Sequence, residues 1–162
     1  MSLKLFIGAV GRMKKGPENA LFKDYFDRCN KAGPKIGLGP LHLTEIAEAK
    51  NNHRPERQRL EAEGLVKMPI QNSRIIVLDE HGCNLSSIAL SDQLKNWRDD
   101  GVPQASFLIG GPDGLDQSVV QNADLVLSFG SMTWPHMIAR ILLVEQLYRS
   151  ISLLSGHPYH RA

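Results

Sequence analysis

Three places in this chain put bare backbone or small polar side chains where an apolar run stops. Leu78-Asp79 ends R-I-I-V-L-D, and Gly110-Gly111-Pro112-Asp113-Gly114 ends F-L-I-G-G-P-D-G. The third, Phe129-Gly130-Ser131-Met132-Thr133-Trp134, separates D-L-V-L-S-F from a long apolar stretch. Open α/β sheets bind ligands at the carboxyl ends of their strands, so these are candidate ligand-holding loops. Glycine lets main-chain amides and carbonyls come close to a ligand, and Pro112 stiffens the bend. An ordinary tight turn would have the same composition. The G-G-P-D-G stretch is not a phosphate cradle of the G-x-x-x-x-G-K-[ST] type, because no Lys follows. Nor is it G-x-G-x-x-G, which argues against a dinucleotide. In the third loop the main chain and the Ser131 and Thr133 hydroxyls can hydrogen-bond an adenosine or its ribose, with Met132 and Trp134 as apolar surface. Ser or Thr ahead of Pro135 is equally what a helix cap looks like.

The chain end, G-H-P-Y-H-R-A, places His157, Tyr159, His160 and Arg161 after a helix that Gly156 has closed. A metal reading of His157 and His160 lacks a third ligand at sensible spacing. A nucleic-acid reading fits better. Tyr159 can stack on a base, Arg161 can hold a phosphate, and a histidine can exchange a proton near neutral pH.

Regular elements must position these groups. Leu3–Val10 reads as a first strand, followed by a helix from Gly16-Pro17-Glu18 to about Lys31 with Leu21, Phe22, Tyr25 and Phe26 on one face. A weaker strand covers roughly Lys35–Glu45, interrupted by Gly37, Gly39 and Pro40. Residues 50–63 are polar, with Arg57–Glu61 and Arg59–Glu63 at helical i, i+4 spacing. They read as a solvated helix face, or alternatively Lys50, His53, Arg54 and Arg57 touch phosphates. Arg74–Leu78 is a continuous apolar run, as in a strand buried on both faces of a parallel sheet, and Ala105–Ile109 reads as another buried strand. Asp79–Gly82 reads as a loop, Ser86/Ser87 cap a helix to about Asp99, and Leu115–Asn122 is a short helix. Asp124–Phe129 is the last strand, and a long helix runs from Pro135 to about Leu154. Strict alternation of strand and helix predicts an α/β fold: a mostly parallel sheet with helices on both faces, in one domain over residues 1–162.

The last helix carries apolar residues over most of its circumference, more than one outside stripe requires. The surplus is expected within the monomer or, preferably, against a second copy in a symmetric dimer. The chain holds 162 residues, 42% of them hydrophobic, enough for one globular core. No run approaches the roughly 20 apolar residues that span a bilayer, and no signal peptide is expected at the N-terminus. Cys29 and Cys83 have no Cys or His neighbour at ligand spacing and read as reduced thiols in a cytoplasmic protein. A formal net charge of +2 excludes a polycation that coats nucleic acid by charge alone, but allows a local basic patch.

Taken together, L-I-G-G-P-D-G-L, T-W-P-H, R-x-L-L-x-E-Q-L-Y-R and the terminal H-P-Y-H-R closely resemble a family of ribosomal RNA large subunit methyltransferases within the SPOUT class. The resemblance extends to G-A-V-G-R-M-K-K-G-P-E and L-D-E-x-G-x-x-L-S-S, and so covers the whole chain. It implies a fold whose C-terminal part threads a trefoil knot, which general rules disfavour. It implies a homodimer, S-adenosylmethionine as cofactor, no metal, and N3 of a pseudouridine in 23S rRNA of the ribosome as acceptor. By motif, the cofactor contacts fall on Leu78, Gly110 and the loop Phe129, Gly130, Ser131, Met132, Thr133 and Trp134. The rRNA-facing residues fall on Arg149, His157, Tyr159, His160 and Arg161. Asp113 stands where Glu is common in the family, and Trp134 where a smaller aliphatic residue is often found.

That reaction needs donor and acceptor held in line and a route for the imide proton. His160, or water held by it, is expected to take the proton, while Arg149 and Arg161 favour negative charge on the base or backbone. The alternative is that these residues only position RNA. One subunit's tail is expected to complete the other's site. Two rival readings are a different nucleotide-binding α/β enzyme, such as a dinucleotide reductase, and a non-catalytic ribosome-associated factor of the same fold.

Overall fold

The computed structural model describes residues 1–161. Five strands form one all-parallel sheet in the order β2-β1-β4-β3-β5. They are β1 (Leu3–Val10), β2 (Leu38–Ile46), β3 (Arg74–Asn84), β4 (Gln104–Ile109) and β5 (Leu125–Ser128). The helices are α1 (Pro17–Ala32), α2 (Arg54–Val66), α3 (Ser87–Asp99), α4 (Gln117–Gln121) and α5 (His136–Ser155). Because every strand runs the same way, all five carboxyl tips lie on one edge, and every candidate loop is on that edge.

The strand pleat sends alternate residues to two cores. Leu5, Ile7, Ala9, Ile76, Phe107 and Ile109 meet α1, α3 and α5 on one face. Val10, Val77 and Leu108 meet Ala62 and Leu65 of α2 and Val119 of α4 on the other. β4, sealed on both sides, is buried at every position, and its two polar residues, Gln104 and Ser106, hydrogen-bond each other at 2.9 Å. α5 lies between α1 and α3, where Leu143, Val144, Leu147 and Ile151 are fully buried. The surplus apolar surface of α5 is thus largely absorbed inside the subunit, so it does not by itself require a second copy. Among the described residues no helix is long and apolar enough to cross a membrane.

Two segments differ from the sequence expectation. β2 begins at Leu38 because Pro34–Ile36 forms a single 3-10 turn ahead of it. β3 does not stop at Leu78. Both Leu78 and Cys83 pair with Leu127 of β5, so Asp79–Gly82 bulges out of a strand that then resumes. Gly82 sits in the throat of this bulge, where a Cβ would lie 2.6 Å from the Val126 carbonyl oxygen. Helix ends follow the expected chemistry. The Ser86 hydroxyl accepts from the Ala89 N–H, and Gly156 closes α5 in the left-handed conformation at φ 76°.

Candidate functional site

A cleft of about 490 Å³ opens at the carboxyl edge, between the tips of β3, β4 and β5 and the start of α5. Leu78, Gly110, Phe129, Gly130, Met132, Thr133 and Trp134 line it together, as the sequence placed them. Ser131 is exposed and does not line it. The volume suits a nucleoside-sized ligand.

Each wall has its own local cause. Gly110–Gly114 folds back on itself, with the Gly114 N–H donating to the Gly111 carbonyl at 2.9 Å. A Cβ on Gly110 would stand 2.9 Å from the Gly114 carbonyl carbon, and one on Gly111 3.0 Å from Val10 Cγ1. The glycines therefore answer first to the turn's own closure. Backbone exposed to a ligand is the consequence of that tight turn. The opposite wall is tied across two strands. The Thr133 hydroxyl donates to Glu80 Oε2 at 2.8 Å, and the Ser128 hydroxyl to the Gly130 carbonyl at 2.9 Å. Thr133 is thus held by the β3 bulge.

Asp79, Glu80 and His81 of that bulge also face the cleft, together with His136 of α5. Sequence reading reached the bulge only at Asp79, as part of the Leu78-Asp79 strand end, and named neither Glu80 nor His81 as a site residue. The Leu78-Asp79-Glu80-His81 order reads as a strand end, and only the resumed pairing at Cys83 reveals an outward loop.

The basic stretch of α2 behaves in a third way, neither purely solvated nor free for phosphate. Arg57 forms a two-pronged pair with Asp113, Nε to Oδ2 at 2.8 Å and Nη2 to Oδ1 at 3.1 Å. Arg54 Nη2 and Gln58 Nε2 both donate to the Asp113 carbonyl, at 3.1 and 2.7 Å. The Arg57 guanidinium, by its hydrogen bonds, holds the Asp113 carboxyl below the usual carboxylate range. The expected Arg57–Glu61 pair is absent because Arg57 turns to the glycine loop and Glu61 is buried, 5% exposed. Glu61 Oε2 accepts from the Ala49 N–H at 2.9 Å, and burial pushes its carboxyl up. Arg59–Glu63 forms as expected, with Glu56 as a second partner.

The terminal group collects elsewhere. Arg149 donates to Glu145 through Nε at 3.1 Å, and its Nη1 lies 3.2 Å from His160 Nδ1. The Tyr159 hydroxyl donates to Glu145 at 3.0 Å and lies 2.9 Å from the Tyr25 hydroxyl of α1. Its ring meets Tyr148 edge-on at 4.8 Å and carries the Arg149 guanidinium 4.9 Å above its centre. Burial first, then the bonds to Tyr25 and Glu145, push the Tyr159 phenol well above its ordinary value. A guanidinium has no acceptor, so His160 Nδ1 accepts and the ring proton sits on Nε2. His157 and Arg161 are exposed. Glu145 joins the whole cluster, and its i, i+4 spacing to Arg149 was the sequence signal for it.

None of Arg149, His157, Tyr159, His160 or Arg161 lines the cleft. Ala139, which does, precedes Arg149 by roughly 15 Å of helix axis at about 1.5 Å per residue. The structure brings the cofactor-loop candidates together and the tail candidates together, but keeps the two groups apart within one chain. Among the described residues no group of three or more His, Cys, Asp or Glu is arranged to hold a metal. Cys29 and Cys83 are both free thiols, and burial pushes Cys29 up to about 12.

A five-stranded parallel sheet with a glycine-built cleft at its tips admits many activities, and comparison with known proteins decides among them. A family model described as "Predicted SPOUT methyltransferase" matches residues 3–160. The chain belongs to the SPOUT methyltransferase family. Its SPOUT relatives include a protein of Chelativorans sp. (strain BNC1), 49% identical over 98% of this chain and 91% of that protein. Another, from Mesorhizobium japonicum, is 48% identical over 99% of this chain and 100% of that protein. A third, from Rhodopseudomonas palustris (strain BisA53), is 43% identical over the same shares. All three are named ribosomal RNA large subunit methyltransferase H. The chain is therefore an enzyme, a SPOUT methyltransferase, and the rivals without methyl transfer fall away.

Proposed function

We propose that this enzyme methylates large-subunit ribosomal RNA, at N3 of a pseudouridine in 23S rRNA, with S-adenosylmethionine as donor. The observation that carries the reading is the cleft in which bare backbone from the β4 and β5 tips meets Leu78. It lies in a chain whose full-length relatives bear the name of large-subunit rRNA methyltransferases. The lining fits such a cofactor. Exposed main chain suits an adenosine, and Asp79 and Glu80 give the cleft an acidic side suited to a sulfonium cation. Leu78, Gly110 and the loop Phe129–Trp134 would hold the cofactor, which supplies an electrophilic methyl group when bound.

The chain's own residues must then orient a base and accommodate the proton that N3 loses. Arg149 and Arg161 favour the anionic base or its flanking phosphate. His160 carries the proton path. With Nδ1 accepting from Arg149, its Nε2–H is a donor, so base duty requires His160 to leave Arg149 or to act through water. Tyr159 anchors the tail through Tyr25 and Glu145, and His157 and Arg161 remain for RNA.

The separation of cleft and tail in one chain supports a homodimer in which each tail serves the partner's cleft. An apolar groove of about 430 Å³ beside the cleft, lined by Leu85, Leu90, Leu142 and Trp134, supports a second copy at that position. A knotted C-terminal threading belongs to the same reading, supported by α5 returning from edge strand β5 to lie between α1 and α3. The decisive experiment incubates purified large subunits and whole ribosomes, lacking the modification, with tritiated S-adenosylmethionine. Label mapping to a pseudouridine N3 is the expected result. No transfer to either particle would refute the reading.

A further inference from the structure

Resting on that reading, we infer that the tips of β1 and β2 form an RNA-backbone docking edge, apart from both the cofactor cleft and the tail. The β1 tip carries Arg12, Lys14 and Lys15, all exposed, and the loop after β2 carries exposed Lys50. None of these four has an acidic partner within ion-pair distance among the described residues. Elsewhere Arg28, Arg57, Arg59, Arg74, Lys95 and Arg98 each meet a carboxylate, and the other unpaired cations among the described residues, Lys4, Lys23, Lys31, Lys35, Lys67 and Arg161, lie on other elements. In a protein of net charge +2, unpaired cations gathered on one edge are a local field, not an average property.

The edge is held in place before any partner arrives. The Gly11 N–H donates to the Ile46 carbonyl at 2.7 Å, and the Met13 N–H to Glu45 Oε2 at 2.8 Å. Fully buried Arg140 of α5 donates to the Gly11 carbonyl at 3.1 Å and pairs with Glu45. Glu45, the carboxylate best placed to neutralise the loop, is thereby occupied. Two exposed acids stand beside these loops, Glu48 near Gly11 and Glu18 near Gly16, and neither is within ion-pair distance of the four cations.

The second half of the edge is a shallow polar hollow of about 600 Å³ lined by Ala49, Lys50, Asn51, Asn52 and Arg57. The Asn51 carbonyl accepts from Arg57 Nη1 at 2.7 Å, which fixes the hollow to the same arginine that clamps Asp113. β1 and β2 are paired neighbours, and Glu48 Oε1 in the second loop lies 3.6 Å from where a Cβ on Gly11 would stand, so the two loops adjoin at the strand tips. That border adjoins the cleft. His136, which lines the cleft, has Nε2 only 3.6 Å from where a Cβ on Gly11 would stand. Cations and amides without apolar surface recognise phosphate and sugar and read no bases, so the edge sets the register of the strand flanking the target.

The test measures affinity of the full-length chain for unmethylated large ribosomal subunits across salt concentrations. Lys14→Ala/Lys15→Ala is expected to lose roughly tenfold in affinity near 0.1 M salt and to flatten the log–log salt slope by about 1.4 to 1.8. Lys50→Ala should flatten it by about half that. Lys31→Ala/Lys35→Ala removes the same charge from the far end of the sheet, and its slope should match the unaltered chain. S-adenosylhomocysteine binding should be the same in all variants, since none touches the cleft. An unchanged slope in Lys14→Ala/Lys15→Ala, or an equal loss in the far-end pair, overturns the docking edge. Failure of the unaltered chain to bind the subunit at all would instead overturn the functional reading on which the edge rests.

Discussion

The cleft and the tail are built in opposite ways. The cleft is made of main chain at the ends of buried strands, locked by short turns such as Gly111–Gly114 and by the cross-strand Thr133–Glu80 bond. The tail is made of side chains gathered on one carboxylate, Glu145, with Tyr25, Tyr159, Arg149 and His160 around it. A site of backbone tolerates loss of many side chains but not added atoms. A site of side chains tolerates added atoms at its margins but not loss of its members.

The sharpest way to break that contrast is at Arg149 and His160. Arg149→Ala should cut single-turnover methyl transfer by roughly 10² to 10⁴, with S-adenosylhomocysteine affinity unchanged in calorimetry. His160→Ala should lower the rate and flatten its pH profile. An unaltered rate and profile would remove the proton-path role and leave His160 as a positioning residue. The next largest effect is a recovery. Heterodimers of one Arg149→Ala chain and one Gly110→Val chain should regain transfer that neither homodimer has, because one intact cleft then meets one intact tail. No recovery would place cleft and tail in the same chain.

Smaller effects test the cleft alone. Gly110→Ala forces a Cβ to within 2.9 Å of Gly114, so the turn must open. It should weaken cofactor binding about tenfold and cost about 1 to 3 kcal/mol of stability, while the Tyr25–Tyr159 contact is untouched. Asp113→Asn should weaken cofactor binding only a few-fold, by loosening the Arg57 clamp. The carboxyl of Asp113 is held below its ordinary value, so the clamp is complete above about pH 4 and is lost as pH falls through the depressed value. The unaltered chain should therefore lose cofactor affinity on acidification, and the Asn variant should show less of that dependence.

Much of the fold was legible because its strands and helices alternate and its turns carry strong signals. Ser86 capped α3, Gly156 ended α5, and β4, read as a buried strand, proved to be sealed on both faces. The bulge at Asp79–Gly82 was read as a simple loop because local sequence cannot tell a strand that ends from one that detours. Only pairing with Leu127 distinguishes them. The α2 charges were misassigned for a related reason. Helical spacing offers Glu61 to Arg57, but Asp113, 56 positions away in sequence, provides the better-shaped partner and leaves Glu61 to the interior. The strand-end loops that line the cleft were legible because glycine clusters at strand ends are local features. Their distance from the tail was not, because it depends on how α5 lies across the sheet.

Arg140 gives that helix a further meaning. Bolted to Gly11 and Glu45 at one end and carrying Glu145 and Arg149 further along, α5 acts as a ruler between two sets of groups. Deleting one residue between Arg140 and Glu145 would rotate everything beyond it by about 100°. The tail cluster would swing off Tyr25 although no member of it had been changed, while the start of α5 at the cleft stayed put. Length along this segment is thus as much a part of the enzyme as the identity of any residue in it.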